Sequence, residues 1–160
     1  MSTSAETVFL DGGRICAVLW RHYDGYPTSH GEELKDLLGT FRLENGPPTL
    51  RSPSAIAVLD FRRVANGMGC LAAQVVAHFK EGPGDFYLCP PNPFPHPASF
   101  RYTVYLAEGD SVQLRCEVPA WPAADTGPCA SDEFTWRELY DGPAEEFDCE
   151  EAEDLACSDE

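Results

Sequence analysis

Phe100-Arg-Tyr-Thr-Val-Tyr-Leu106 and Val112-Gln-Leu-Arg-Cys-Glu-Val118 decide the fold class of this chain. In the first run Phe100, Tyr102, Val104 and Leu106 alternate with Arg101, Thr103 and Tyr105. In the second, Val112, Leu114, Cys116 and Val118 recur at every other position. Successive side chains of a strand point to opposite faces, so each run has one apolar face. Gly109-Asp110 lies between them and turns the chain, which predicts an antiparallel hairpin.

A second hairpin is expected at the N-terminus. Glu6 to Leu10 reads as a strand, Asp11-Gly12-Gly13 as a turn, and Arg14 to Tyr23 as the return strand. That strand is apolar on both faces, with Ile15, Ala17 and Leu19 against Cys16, Val18 and Trp20, which suits a central place in a sheet. Cys16 and Cys70 read as small core residues.

Two helices are predicted. Ser29-His30-Gly31-Glu32 has capping-box form and precedes the Leu34, Leu37, Leu38 stripe, with Gly39 as the stop. Asn66-Gly67-Met68-Gly69 opens a longer helix, in which Met68, Leu71, Ala72, Val75, Val76 and Phe79 form one stripe. Residues 44–54 and 90–97 read as loops, and residues 55–64 fit a helix or a buried strand equally. Asp85 to Cys89 and Phe134 to Tyr140 are further strand candidates. The expected architecture is α+β: an antiparallel sheet with two helices packed on one face, residues 1–144 forming one domain and residues 145–160 an acidic, flexible tail.

The 160 residues carry 27 acids and 11 bases, a net charge of −16. Residues 132–160 hold 13 of those acids and the single base Arg137. Such a balance argues against direct nucleic-acid binding, because phosphate contacts need clustered Lys and Arg. It permits the opposite role, a carboxylate surface offered to a basic partner. The apolar runs fall short of the ~20 residues of a membrane span, and Met1 to Glu6 has no secretory-signal character. The expected setting is therefore the cytoplasm, without a membrane partner. The seven cysteines form no CxxC pair and are expected as thiols.

Three constellations bear on chemistry. Arg21, His22, Tyr23, Asp24, Tyr26 and His30 crowd a strand end and a helix start. They read either as a turn with packed tyrosines, as a ligand-binding surface, or, through His22, Asp24 and His30, as ligands for a metal-dependent hydrolase or transferase. Arg62 and Arg63 precede Asn66, Gly67 and Gly69 at the start of the longer helix. There they could clamp a phosphate against free helix amides, or Asn66 could simply cap the helix. Gln74, His78 and Glu81 share the polar side of that helix and could form an acid–base set. No P-loop, GxSxG elbow or cofactor fingerprint is present, so no cofactor is expected.

Several segments taken together resemble a family of small tailed-phage proteins: Trp20-Arg-His-Tyr-Asp-Gly-Tyr-Pro27, Ser29-His-Gly-Glu-Glu-Leu34, Asn66-Gly-Met-Gly-Cys-Leu-Ala-Ala-Gln-Val75, Gly82-Pro-Gly-Asp-Phe-Tyr-Leu88 and Tyr140-Asp-Gly-Pro143. Members carry Y-R-(H/Q)-(W/F)-D-G-Y-P and G-M-G-C-L-A-A-Q segments. The resemblance implies a phage or prophage setting and no reaction. Members can carry Gln at the position of His22, which argues against a role that needs an imidazole there. Together these readings lead to a non-enzymatic binding protein in counter-defence or host modulation, capturing a host protein or a small phosphorylated ligand. The alternatives are an acidic nucleic-acid-mimicking inhibitor and the metal-dependent enzyme.

Overall fold

A computed structural model describes residues 3–44, 64–90, 97–107, 111–120 and 134–158. Both hairpins form: β1 (Ala5–Asp11) pairs with β2 (Arg14–Arg21), and β6 (Phe100–Leu106) with β7 (Val112–Ala120). With β5 (Phe86–Cys89) and β8 (Thr135–Pro143) they make a six-stranded sheet in the order β5-β2-β1-β6-β7-β8. A separate parallel pair joins β3 (Arg42–Glu44) to β4 (Val64–Asn66). The helices are α1 (Glu32–Leu38), α2 (Gly67–Phe79) and α3 (Cys149–Cys157).

The sheet is mostly antiparallel, but β1 and β6 run parallel at its centre, with Ala5 opposite Phe100 and Phe9 opposite Val104. This corrects the all-antiparallel expectation. Parallel neighbours cannot be joined by a tight turn, and the connection from β1 to β6 runs through residues 12–99, which carry β2, α1, α2 and β5. Alternation alone does not say which edges of two hairpins meet.

One core cluster joins the sheet to the helices. The sheet contributes Ala5, Phe9, Leu19, Phe100, Tyr102, Val104, Leu114, Cys116 and Val118, all on one side of the pleat. Leu34 and Leu38 of α1 meet them, as do Met68, Leu71, Ala72 and Val75 of α2. Val76 and Phe79 are partly buried at the rim, so the six-residue stripe read from the sequence is the packed face.

Four local expectations are corrected. Pro27–Gly31 forms a wide π-type turn rather than a capping box. The Ser29 amide donates to the Tyr26 carbonyl, and no side chain caps the segment. Asn66 stands at the N-cap of α2 but its side chain makes no capping hydrogen bond, and Gly67 follows with φ of +74°, a conformation that suits glycine. Cys16 and Ile15 are exposed, since the β1–β2 turn end reaches past the core and β5 pairs only with Val18–Arg21 of β2.

The fourth concerns the acidic end. Ala144–Glu146 makes a 3-10 turn and α3 follows, instead of a flexible tail from Glu145 onward. Phe147 and Ala152 are at most 1 % exposed, which anchors the segment in the core. The Asp148 carboxylate accepts from the Glu151 amide at 3.0 Å and caps α3, while Glu150 and Glu151 favour its positive end. Apart from Val64, which begins β4, residues 55–64 lie outside the described residues, as do most of the proline-rich loop and Gly109-Asp110.

Candidate functional site

Two features gather polar side chains, and α1 contributes to both. The first is a cleft of about 380 Å³ between the end of α2, the start of β5, the end of β2 and α1. Arg21 forms part of its floor. Its Nε donates to the Tyr23 carbonyl at 2.8 Å, and its Nη1 reaches Nδ1 of His30 at 3.1 Å and the Glu33 carboxylate at 2.5 Å. The guanidinium also lies 5.2 Å from the centroid of the Phe86 ring.

Behind Arg21, His30 is fully buried among Phe79, Phe86 and Tyr102. An arginine can only donate, so Nδ1 of His30 must be the acceptor. The ring proton therefore sits on Nε2, which donates to Oγ1 of Thr7 at 2.8 Å. Burial, and secondarily the Arg21 cation, hold the imidazole far below its usual range, at about 3. His30 is thus a neutral wedge that fixes the arginine. Lys80 braces the opposite wall, donating to the carbonyls of Gly84 at 2.6 Å and Phe86 at 2.8 Å.

The second feature is a groove of about 300 Å³ between α1 and the α3 segment. Glu32 and Asp36 line it from one side, and Glu146, Asp148 and Glu150 from the other. Among the described residues Lys35 is its one cation, and its ammonium donates to the Phe147 carbonyl at 2.7 Å. Cys149 stands in the groove. Burial pushes its thiol up to about 11, with Lys35 opposing and the carboxylates of Glu32, Asp148 and Asp36 adding to the rise. It is therefore a thiol, not a nucleophile, near neutrality. Glu153 of α3 accepts from both the amide and the hydroxyl of Thr28, tying α3 to the turn before α1.

Of the sequence-predicted residues, Arg21, His78 and Glu81 line the first cleft and none lines the acidic groove. Arg21 and His30 meet in one network, but His22, Asp24 and His30 do not converge. His22 is exposed and stacks on Tyr23 with ring centroids 4.4 Å apart, whereas both ring nitrogens of the buried His30 are engaged by protein. That removes His30 from the metal reading, and among the described residues no group of three His, Cys, Asp or Glu is placed to hold a metal ion. Asp24, at φ of +54°, and Gly25 belong to a turn whose backbone lies against Ser4. Tyr26 packs beside Phe100.

Arg62 and Arg63 lie outside the described residues, so the phosphate clamp has only Asn66, Gly67 and Gly69 on view. Gln74 leaves the acid–base set, because its amide donates to the Val64 carbonyl at 3.0 Å and holds β4 to α2. His78 and Glu81 line the cleft with Arg21.

Sequence reasoning missed Glu33 as the partner of Arg21, and it missed the acidic groove. Glu33 carried only the signal of an acidic residue in the first turn of a helix, where the dipole favours it. The groove had one: Asp148-Cys-Glu-Glu151 has the N-cap spacing that marks a helix start. Among the described residues no helix is long and apolar enough to cross a membrane. No family model, curated protein or solved structure matches the chain.

Proposed function

We propose that the protein is a non-enzymatic binding protein whose acidic face, built from α1 and the α3 segment, docks on a basic surface of a host nucleic-acid-handling protein. One observation carries this reading: the acidic end is not a loose chain but is pinned by Phe147, Ala152 and the Thr28–Glu153 contact, so its carboxylates stand in fixed register with those of α1. Fixed charges lose less side-chain and backbone entropy on docking than a solvated tail does. Five carboxylates around one groove, with a lysine whose ammonium bonds a backbone carbonyl, present a negative field to a partner's Lys and Arg. The resemblance to small tailed-phage proteins supports a setting of host modulation or counter-defence.

The test is displacement of labelled duplex from basic bacterial nucleoid proteins. The intact chain should release the duplex, with an effect that weakens steeply as salt rises. A variant carrying Glu32→Gln, Asp36→Asn, Glu146→Gln and Glu150→Gln should lose most of that effect while keeping its circular-dichroism spectrum. Equal displacement by both proteins would refute the reading.

A further inference from the structure

We propose that the cleft beside Arg21 is a second, independent site, which binds the Watson–Crick edge of a guanine-type base. Its volume of about 380 Å³ lies within the ~300–1,000 Å³ range of small-molecule sites. Its polar groups are also unusually well held. Nε and Nη1 of Arg21 are used by Tyr23, His30 and Glu33, which fixes the plane of the guanidinium. Among the described residues its Nη2 donates to no protein group, and neither does Glu33 use its second carboxylate oxygen, Oε1.

The site therefore offers one donor and a carboxylate acceptor on two directly bonded side chains. Guanine presents the complement: the O6 acceptor, then the N1–H and N2–H donors, side by side on one planar edge. O6 would take the Arg21 Nη2 proton and the two N–H groups would meet the Glu33 carboxylate. Phe79 and Phe86, stacked with centroids 5.2 Å apart, supply the apolar part of the wall. Adenine fits badly, because its exocyclic amine would face the arginine and leave the carboxylate opposed by a ring nitrogen. A phosphate deep in the cleft is disfavoured by Glu33, Glu81 and Asp85, so the base enters and any phosphate points out. The buried His30 serves as a positioning residue, since it touches Arg21 and not the ligand.

Calorimetric titration of the full chain with guanosine, inosine and adenosine tests the assignment. Guanosine should bind. Inosine, which lacks the exocyclic amine, should bind about tenfold more weakly, in line with the loss of one base-edge hydrogen bond. Adenosine should show no heat of binding at the same concentrations. Glu33→Gln, a change at a half-exposed side chain that keeps its length and an acceptor for Arg21, should lower guanosine affinity about tenfold or more while the free protein keeps its circular-dichroism spectrum. Guanosine 5′-monophosphate run in parallel identifies the source, nucleoside or nucleotide, by which binds tighter. Absence of guanosine binding, equal binding of adenosine, or a Glu33→Gln protein that binds guanosine like the wild type would each overturn the proposal. None of these results depends on the acidic face.

Discussion

Acidification probes the buried His30 directly. In the native state the imidazole resists protonation down to about 3, whereas in the unfolded chain it takes up a proton near its ordinary value of 6.5. Below that value the unfolded state binds more protons, so stability is full above it and falls as the pH falls. Each pH unit in the window removes about 1.4 kcal/mol, which amounts to about 2 kcal/mol between neutrality and pH 5. Against a typical domain stability of roughly 5–15 kcal/mol this is a measurable fraction. Urea unfolding of the wild type across that window should therefore show a midpoint that drops with pH. His30→Leu removes the titrating group, so its curve should start lower, because Arg21 and Thr7 lose a partner, but should be flatter by that amount. Imidazole nitrogen chemical shifts should keep His30 in its Nε2–H form at about pH 5 while the protein remains folded. The reasoning is refuted if the folded protein shows His30 titrating near its ordinary value, or if wild type and His30→Leu lose stability in parallel.

Two further substitutions test how the site is held. Phe147→Ala empties a fully buried position that packs on Gly31 and Tyr140, and it should cost about 3–5 kcal/mol, read from thermal or denaturant unfolding. A loss below about 1 kcal/mol would mean that the α3 segment is not anchored by this ring. Gly25→Ala would place a methyl carbon 2.7 Å from the Ser4 carbonyl carbon and 2.8 Å from the Ala5 amide nitrogen. The Ser4–Ala5 peptide is backbone and cannot yield cheaply, so a loss of about 1–3 kcal/mol is expected, together with loss of the Tyr102 hydroxyl bond to the Gly25 carbonyl. Unchanged stability of this variant would show that the two segments do not meet.

Much of the scaffold was legible because its signals are local. The 100–118 hairpin is a period-two pattern, and the stripe from Met68 to Phe79 is a helical one. Both depend only on where successive side chains point along their own element. The errors arose where a distant contact overruled a local preference. Ser29-His30-Gly31-Glu32 has the letters of a capping box, yet His30 is drawn into the core by Thr7, Arg21 and three aromatic rings, and the chain widens into a π-type turn. The charge count after Asp132 suggested a solvated tail, yet one phenylalanine and one alanine reach the core and hold the helix. Composition averages over such a segment, whereas docking depends on a few apolar side chains and on the space that Gly31 leaves for Phe147.

The α+β class, both hairpins, the apolar faces of α1 and α2, and the acidic excess toward the C-terminus can all be read without coordinates. These follow from residue type and spacing. The parallel pairing of β1 with β6, the meeting of Arg21 with Glu33 and a neutral His30, and the alignment of the α3 carboxylates with those of α1 emerge only once the chain is folded. The physical reason is the range of the interactions. Periodicity and capping act within a few residues, but the site is assembled by contacts such as Thr7 with His30 and Thr28 with Glu153, separated by 23 and 125 residues. No local pattern encodes which of many polar groups will meet once the core has closed.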